Sequence, residues 1–510
     1  MAPADLIFIN GTFLSCSESR GEYLAVRGGR IVGFGPKGEF ESFRGPRTEI
    51  LDLGGKTVLP GFIDSHVHFV QTGLNLSARN LTSCSSIAEI QESLSDGKDG
   101  GWILGHGFDD FLLKEKRFPT REDLDQVSKD RPLFISRRDH HSCVLNSKGV
   151  ETLELPSDLE GGDLALGIFR AMANNVVRSK VYKDLDDGAR WKAIRAASRL
   201  AVERGVTTLH ALEGGTLFSD RDIEAFLRAI PLLEVKCLLY WQTRDVRAVQ
   251  RLGLSRIGGC LLIDGSLGSR TAALSSPYDD DPSTSGVLYF SEEELYALVS
   301  DARKAGLQTS FHAIGDRAIE LVLDAYERVL REIPREDGRL RIEHCELPTP
   351  EQIERIRSLG VALGVQPAFE QLWGGPDRMY AERLGKERAA QTNPFASMLD
   401  KGILLAGGSD SDVTPLDPIL GLHAAINHPN RAQQLTVEQG IRLFTVEGAR
   451  IGFEERRKGT IECGKEADLV VLSGNPLTTR ASEIKELSVL MTFVDGKCVY
   501  RRITDEGSRS

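Results

Sequence analysis

The feature that most constrains the fold is a repeated alternation of short apolar segments with amphipathic ones in the middle of the chain. Eight segments have the composition of buried strands: "TVLPGFIDSHVHF", "GVTTLHAL", "EVKCLLYW", "GGCLLIDGS", "LQTSFHAI", "RLRIEHC", "GVALGVQP" and "GILLAGGSD". Amphipathic segments separate most of them, and in "DRAIELVLDAYERVL" the apolar side chains recur at the spacing of a helix face that covers a sheet. This alternation predicts an α/β fold, a parallel (β/α)₈ barrel.

Both ends of the chain depart from this pattern. Residues 5–53 contain short alternating segments broken by glycine, and "KGTIECGKEADLVVLSGNP" and "LSVLMTFVDGKCVY" repeat that style near the C-terminus. Neither end has enough strands for a core of its own. We therefore predict one small β-sandwich domain formed by residues 1–57 and 459–505, beside a barrel formed by residues 58–458. An insertion at about 70–200, with its own strand "RPLFISRRDHHS", is predicted to cover the mouth of the barrel.

Residues that can bind a metal occur at the carboxyl ends of the predicted strands, where the active sites of parallel barrels lie. His66 and His68 are two residues apart, so both side chains point to the same side of the first strand. The other candidates are Cys260, His312, His344 and Asp410. Each has a structural alternative: a hydrogen-bonded histidine, a space-filling cysteine, or an aspartate that caps a turn. Because all six fall at one mouth, and because imidazole, thiolate and carboxylate are ligands of Zn²⁺ and similar ions, we predict a metal site.

Composition limits the partners of this chain. The formal net charge is −11 and no basic stretch offsets it, which argues against nucleic acid or an anionic membrane. No apolar run approaches the ~20 residues of a membrane span, and "MAPADLIFIN" lacks the features of a signal peptide. The 8 cysteines show no paired spacing, which is typical of reduced thiols. We therefore expect a cytoplasmic protein that acts on a small molecule.

Several segments carry a resemblance to a known family: "VLPGFIDSHVHF", "DGSLGSRTAAL", "FHAIGDRAIE", "IEHCEL", "GGSDSDVTPLDPI" and "GTIECGKEADLVVL". Together they resemble the amidohydrolase superfamily, specifically the amidohydrolase-3 branch that includes N-substituted formamide deformylase. The likeness runs from about residue 5 to 500. It implies a metal-bearing (β/α)₈ barrel with a split β-sandwich, and it places His66, His68, His312, His344 and Asp410 in the metal site. Members of the family are often oligomers, which favours a homodimer.

The sequence departs from the family at one position. Similar members usually have a lysine four residues before the aspartate of the DGS loop, and that lysine, carboxylated, bridges two metals. Counting back from Asp264 gives Cys260. Either the Cys260 thiolate binds or bridges the metal, or the site holds one metal and Cys260 only fills space. The family context favours the ligand, with one or two Zn²⁺ per chain, or another divalent transition metal.

Seven further residues are candidates for substrate binding: His210, Trp102, Phe108, His141, Asp264, Arg270 and Gln366. His210 ends the second strand, and the alternative to substrate contact is a structural role. Trp102, Phe108 and His141 resemble family positions that roof the pocket, and ordinary packing of the insertion is the alternative. For Asp264 and Arg270 an ion pair within the loop is favoured over contact with substrate. Gln366 lies at the end of the seventh strand, and the alternative to substrate contact is a hydrogen bond to the barrel rim.

The resemblance implies hydrolysis of a non-peptide C–N bond, most directly a linear amide of the N-acyl or N-formyl type. A metal-activated water attacks the carbonyl carbon. Asp410 takes the proton of that water and passes it to the leaving nitrogen, and His344 or His210 assists the oxyanion. The alternatives are a heterocycle deaminase or cyclic amidase of the same fold, and a non-catalytic scaffold. Related deaminases place a glutamate three residues after the histidine of strand five, where this chain has Gly315.

Overall fold

Eight parallel strands form one sheet in the computed structural model of the chain. The structure describes residues 2–95, 101–183, 185–215, 218–334 and 337–503. The strands are β1 Phe62–Val67, β2 Val206–Glu213, β3 Lys236–Trp241, β4 Arg256–Ile257, β5 Gln308–Ala313, β6 Arg341–His344, β7 Ala362–Val365 and β8 Leu405–Gly407. Their order in the sheet is their order in the chain, and each strand pairs in parallel with the next.

The sheet closes into a barrel through the segments that follow β1 and β8. The backbone N–H of Asp410 donates to the carbonyl of His66 at 2.8 Å, and the N–H of His68 donates to the carbonyl of Ser411 at 2.8 Å. Val67 and Ser411 form a parallel bridge at the same place. The predicted (β/α)₈ barrel is therefore confirmed.

Helices cover the outside of the barrel. The helix Glu292–Lys304 begins after Ser291, whose side chain forms a capping box. The apolar face of the helix Asp316–Glu332 buries Ile319, Val322 and Tyr326 against the sheet. The helices after β2 are Arg221–Ala229, Val246–Arg251, Glu292–Lys304, Asp316–Glu332, Pro350–Leu359, Pro367–Trp373, Met379–Ala389, Phe395–Asp400, Pro418–Ile426, Val437–Leu443 and Val446–Ile451. Among the described residues, no helix combines the length and the apolar character needed to cross a bilayer.

A mixed sheet is inserted between β1 and β2. Its strands, in spatial order, are Gly162–Asp163, Ile168–Arg170, Ser142–Leu145, Leu133–Arg137, Ile103–Phe108 and Arg79–Asn80. Helices accompany it at Phe69–Asn75, Ile87–Ser95, Arg121–Asp125, Ser147–Leu153, Ala171–Tyr182 and Asp187–Glu203. Its residues reach the barrel mouth, where Ser142 Oγ donates to Ser269 Oγ at 2.8 Å and Arg138 Nε donates to the carbonyl of Val413 at 3.3 Å.

The two chain ends form two further sheets that share a core. One sheet has the order Arg30–Gly35, Tyr23–Arg27, Leu6–Ile9, Glu49–Asp52, and the other has the order Thr12–Phe13, Thr57–Pro60, Leu469–Leu472, Val489–Val494, Lys497–Arg501. Phe8 of the first sheet meets Phe493 of the second with ring centroids 5.0 Å apart. Short 3₁₀ helices occur at Lys37–Phe43, Ile230–Leu232, Arg431–Gln433 and Ala481–Glu486. We propose domain boundaries near those predicted above, with the chain entering the barrel after Pro60.

The fourth barrel strand is shorter than the sequence suggests. The apolar run Cys260–Ile263 was expected to be a strand, but β4 ends at Ile257. Gly258 and Gly259 follow with φ of +92° and +59°, and a Cβ on Gly258 would lie 2.1 Å from the carbonyl oxygen of Ser310. Only glycine fits so close to a neighbouring strand in this conformation. The chain therefore bends at these glycines, and Cys260 lies in a loop that returns to β5 through one parallel bridge, between Leu262 and His312.

Candidate functional site

The six predicted metal ligands meet at the carboxyl ends of the barrel strands. All are buried: His66 0%, His68 5%, Cys260 4%, His312 2%, His344 2% and Asp410 5% exposed. His312 lies in β5 and His344 ends β6, while Cys260 and Asp410 follow β4 and β8. His344 and Asp410 have φ of +70° and +52°. Such values are uncommon outside glycine and concentrate where the surrounding structure holds a functional side chain in place.

The six residues fall into two adjoining groups, and His66, His68 and Asp410 form the first. The Nε2 atoms of His66 and His68 lie 3.2 Å and 3.1 Å from the same oxygen, Asp410 Oδ1. His66 Nε2 and Asp410 Oδ1 are buried and make no hydrogen bond to the described residues, despite their closeness. Buried polar atoms that converge without a hydrogen bond fit a metal ion as their partner.

Cys260 belongs to the second group. Its Sγ lies 3.5 Å from Nδ1 of His312 and 3.6 Å from Nε2 of His344. The ring centroids of His66 and His344 are 4.9 Å apart, and the ligand atoms of His66, Cys260 and His344 all lie within 4.8 Å of one another. His66 is therefore common to two groups that could each hold an ion.

Hydrogen bonds behind the histidines fix which ring nitrogen faces the site. Nδ1 of His66 donates to Glu343 Oε2 at 2.7 Å, and Nδ1 of His68 donates to the carbonyl of Leu212 at 3.1 Å. In the same way, Nε2 of His312 donates to the carbonyl of Gly265 at 3.1 Å. A proton on the outer nitrogen leaves a lone pair on the inner one, which is the arrangement of metal-binding histidines.

His344 is oriented by Gln366, whose Oε1 lies 2.7 Å from Nδ1 of the imidazole. Because the side-chain oxygen of glutamine accepts, His344 must carry its proton on Nδ1 and direct Nε2 toward Cys260. Gln366 is 1% exposed and lies behind the histidine. The predicted contact between Gln366 and substrate is therefore corrected to a contact with His344.

The charges of the two anionic residues follow from their neighbours. Burial opposes ionisation of the Cys260 thiol, but the imidazoles of His66 and His312 outweigh it and lower its pKa well below the usual value. Burial likewise opposes ionisation of Asp410, and His66 and His68 outweigh it, so the pKa of this carboxyl also lies well below its usual value. Four imidazoles, a thiolate and a carboxylate form a donor set that fits a divalent transition metal.

Five of the six residues, all except the fully buried His66, line a cavity between the barrel mouth and the insertion. One side is formed by Asp139, His140 and His141 of the insertion. Asp139 accepts from Arg137 at 2.7 Å and from Ser266 at 2.6 Å, which ties the insertion to the loop after β4. The opposite side is largely apolar and aromatic.

Of the seven predicted substrate-binding residues, all within the described part of the chain, His141 alone lines this cavity. Its ring centroid lies 5.3 Å from that of His312. Burial lowers the pKa of His141 to about 3, so its imidazole is neutral. A neutral imidazole beside the metal ligands is suited to a hydrogen bond with a polar substrate.

Trp102 and Phe108 lie away from the cavity. Phe108 is fully buried in the core of the insertion, in edge-to-face contact with Phe118, and Trp102 packs against a second apolar cluster that contains Phe134. The expectation that they roof the pocket is corrected, because both side chains fill the inserted sheet's own cores. No sequence pattern distinguishes these two uses of an aromatic residue.

His210 lies one layer below the mouth, inside the barrel. It is fully buried, and Nδ1 lies 2.9 Å from Nη1 of Arg341. The next residue of β2 that points inward is Leu212, which contacts Cys260 and thus occupies the mouth layer. His210 therefore does not reach the cavity, and the expected contact with substrate or oxyanion is corrected to a structural contact with Arg341.

Asp264 and Arg270 do not pair with each other. Asp264 accepts from the backbone N–H groups of Ile314 and Gly315 at 3.0 Å and 2.8 Å, which fixes the start of the segment after β5. Arg270 instead makes a bidentate ion pair with Asp280 at 3.0 Å and 2.7 Å. Both residues shape loops around the mouth, and neither lines the cavity.

The structure adds functional residues that the sequence reasoning missed. Glu343 orients His66, and Arg341 donates to Glu343 at 2.8 Å. Glu346 lines the cavity and accepts a hydrogen bond from the hydroxyl of Tyr380. Burial raises the pKa of Glu346 to about 7. A signal for Glu343 and Glu346 was present, since both flank His344 in "IEHCEL".

The sequence profile described as the amidohydrolase family matches residues 49–500. The chain belongs to the amidohydrolase family. It is 27% identical to N-substituted formamide deformylase of Arthrobacter pascens, over 98% of each chain. It is also 30% identical to Protein LONG AFTER FAR-RED 3 of Arabidopsis thaliana, over 98% of this chain and 92% of that protein.

A solved structure, an uncharacterized metal-dependent hydrolase from Pyrococcus furiosus, is similar to this amidohydrolase over 93% of this chain and 100% of that one. Its TM-score is 0.76 at 30% identity. The chain is thus a metal-dependent hydrolase of the amidohydrolase family that acts on C–N bonds other than peptide bonds. The barrel mouth of this amidohydrolase has groups of side chains that could hold a divalent metal.

Proposed function

We propose that this amidohydrolase hydrolyses linear amides of the N-acyl or N-formyl type, with zinc as its metal, in one or two ions per chain. The observation that carries the proposal is the convergence of six candidate ligand side chains at the carboxyl ends of the barrel strands, with His66 common to two groups of three. The relative named N-substituted formamide deformylase supports a formamide or a similar amide as substrate. We further propose that the enzyme is cytoplasmic, while a homodimer stays a prediction.

The side chains at the barrel mouth have two proposed roles, metal binding and proton transfer. His66, His68, Cys260, His312, His344 and Asp410 would hold the metal. A divalent metal held there supplies Lewis acidity, which makes a water molecule acidic enough to attack a carbonyl near neutral pH. Asp410 also lines the cavity. Its carboxylate accepts the proton of the attacking water and delivers it to the leaving nitrogen.

His141 is proposed as the residue that orients the substrate carbonyl. Its neutral imidazole lies at the cavity wall beside His312 and can donate one hydrogen bond. A donor aimed at the carbonyl oxygen stabilises the negative charge that develops there during attack. His344 faces the same space through Nε2, but its proton is held on Nδ1 by Gln366, so it cannot donate to the carbonyl oxygen, and the predicted assistance of His344 to the oxyanion is corrected.

A specific observation disfavours the deaminase alternative. Gly315 stands where related deaminases have a glutamate, and a Cβ at this position would lie 2.0 Å from the carbonyl oxygen of Ala273. No side chain fits there without moving the backbone. The ring-protonating carboxylate of a deaminase would therefore have to come from another element.

The test is a substrate screen on purified, zinc-loaded protein. The substrates are N-formyl amines, longer N-acyl amines, cyclic amides and amino-substituted heterocycles, with separate assays for carboxylate, ring opening and ammonia. We expect release of formate or another carboxylate from linear amides. Release of ammonia from heterocycles, with no cleavage of linear amides, would overturn the proposal. Elemental analysis accompanies the screen, and a metal content below about a tenth of an equivalent that metal addition does not restore would overturn the metal site.

A further inference from the structure

One wall of the cavity combines aromatic rings with a carboxylate. Phe369 and Trp373, on the helix Pro367–Trp373, are in edge-to-face contact with ring centroids 5.0 Å apart. The ring of Trp373 lies 6.2 Å from that of Tyr380. All three side chains line the cavity together with Glu346. This wall therefore presents several aromatic rings beside one acidic group.

Glu346 makes no ion pair with a lysine or an arginine in the part of the chain that the structure describes. It is 3% exposed, and its hydrogen bond comes from the neutral hydroxyl of Tyr380. Asp139, the acidic residue on the other side of the cavity, is by contrast bonded to Arg137. A buried carboxylate is costly unless a group of opposite charge or several donors compensate it. A ligand that brings a positive charge to Glu346 would remove this cost.

The aromatic wall lies beside His344, one of the candidate metal ligands. The ring of Phe369 stacks on His344, with centroids 5.9 Å apart and an interplanar angle of 12°. Trp373 lies beyond Phe369, and Glu346 is two residues after His344 in the chain. A group bound against Trp373 is thus separated from His344 by the ring of Phe369. A short chain of atoms in the substrate would span this distance.

We propose that this wall is a subsite for an ammonium group, so that the preferred substrate is a linear amide that also carries a positively charged amine. The inference rests on the proposed amide hydrolysis and specifies its substrate class. The carboxylate of Glu346 pairs with the ammonium group, and the faces of Trp373, Tyr380 and Phe369 supply cation–π attraction. The same wall accepts the methylene groups of the substrate, since its other members, such as Met379 and Ile314, are apolar.

The experiment compares three matched substrate series on the zinc-loaded protein. The first contains mono-N-formylated diamines of increasing chain length, and the other two replace the ammonium group by a methyl or a hydroxyl group. We expect kcat/KM to be at least about tenfold higher for the best ammonium substrate than for either isostere, the size of one charge-assisted contact. Equal rates for the ammonium and hydroxyl compounds would overturn the inference.

The decisive variant is Glu346→Gln, which keeps the shape of the side chain and an acceptor for Tyr380. It should lower kcat/KM at least about tenfold for the ammonium substrates and leave the methyl series within about twofold of wild type. The matched control is Glu387→Gln, an exposed residue on the helix Met379–Ala389 that also carries Tyr380. The control should retain the full preference. An equal loss for all three series in Glu346→Gln would mean a structural role and would overturn the subsite.

Calorimetry with alkylammonium ions separates this inference from the proposed function, because it needs no turnover. We expect an alkylammonium ion to bind the zinc-loaded wild-type protein, and its neutral hydrocarbon isostere and the Glu346→Gln variant to show at least about tenfold weaker binding. If no amide is cleaved but this binding pattern holds, the proposed reaction fails and the subsite stands. If amides are cleaved without preference and the ammonium ion does not bind, the subsite alone fails.

Discussion

At the scale of single residues, Cys260 differs from the other buried cysteines of the chain. Burial raises the pKa values of Cys84, Cys143 and Cys345, and no imidazole offsets that effect. For Cys260 the imidazoles of His66 and His312 reverse it. The imidazoles of His312 and His344 lie 3.5 Å and 3.6 Å from its Sγ. This environment favours a thiolate and supports the prediction that Cys260 is a metal ligand.

The first prediction concerns metal content. Cys260→Ser should lower the equivalents of bound metal, because an alcohol is a weaker and less acidic ligand than a thiol, and Cys260→Ala should lower them further. Cobalt-substituted wild-type protein should show a sulfur-to-metal charge-transfer band that the Ala variant lacks. Metal content and activity should also not depend on bicarbonate, since no lysine at this position needs carboxylation.

The control for this prediction is Cys143→Ala, which removes a buried thiol in the inserted sheet. It should lower the free energy of unfolding by about 1 kcal/mol and leave metal content and the cobalt spectrum unchanged. Full occupancy and an unaltered cobalt spectrum in Cys260→Ala would show that Cys260 only fills space.

The second prediction concerns the proton acceptor. Asp410→Asn should fold normally but lose at least about a hundredfold in kcat on a confirmed amide, because a carboxamide does not accept the proton of the attacking water. The measurement is kcat at matched metal content, and Asp158→Asn, at an exposed residue, is the control. A rate near that of wild type would remove Asp410 from this role.

At the scale of elements, the end of β4 decides where Cys260 lies. Gly258→Ala should lower the free energy of unfolding by about 3 kcal/mol, because the added Cβ meets the carbonyl of Ser310 at 2.1 Å and φ is +92°. The same variant should lose metal, since the loop that carries Cys260 must shift. Urea unfolding and elemental analysis check the two effects.

Gly253→Ala provides the matched control for the β4 variant. Its φ is +67°, but no heavy atom lies within 4 Å of the added Cβ. The expected loss is about 1 kcal/mol from backbone conformation alone, with full metal content. Equal losses in both variants would mean that the close approach to β5 contributes nothing.

The elements that the sequence predicted well are those with strong periodicity. The barrel follows from eight apolar segments, and the helix Asp316–Glu332 follows from its apolar stripe. The run Cys260–Ile263 was wrongly predicted as a strand because its apolar character comes from burial in a loop. The available sequence signal was the pair of adjacent glycines before the run, which allow a bend, and both glycines have a positive φ in the structure.

For the site, sequence reasoning could name side chains at strand ends but not contacts between distant elements. The six ligands share one mouth because parallel strands end there. The pairing of His66 with Glu343 joins residues 277 positions apart, and that of Arg270 with Asp280 depends on a loop conformation. Such contacts have no local sequence pattern. For this reason the Asp264–Arg270 pair was expected wrongly and Glu346 was overlooked.

At the scale of the whole molecule, one lysine connects the barrel with the terminal sheets. Lys236 of β3 contacts Glu466, Asp468 and Asp495 at 2.8 Å, 2.9 Å and 2.7 Å. Glu466 and Asp468 are 5% and 3% exposed at their side chains, whereas Asp495 is 52% exposed. The three carboxylates thus surround an ammonium group rather than a metal ion. This network couples the stability of the two parts of the molecule.

The last prediction removes this connection. Lys236→Met should lower the free energy of unfolding by about 2 kcal/mol near neutral pH, because it leaves buried carboxylates short of a cation. Lys497→Met, at an exposed residue on the strand Lys497–Arg501, is the control and should change the free energy of unfolding little.

The pH dependence of this effect follows from Glu466. Burial opposes ionisation of Glu466, but Lys236, Lys458 and Arg457 outweigh it and lower its pKa from 4.5 to about 2. A lowered native pKa stabilises the fold above the unfolded value, and this contribution is lost as the pH falls from about 4.5 to about 2. The difference between wild type and Lys236→Met in urea, measured on chelated protein, should therefore shrink across this range, and a difference independent of pH would contradict the ion-pair origin of the effect.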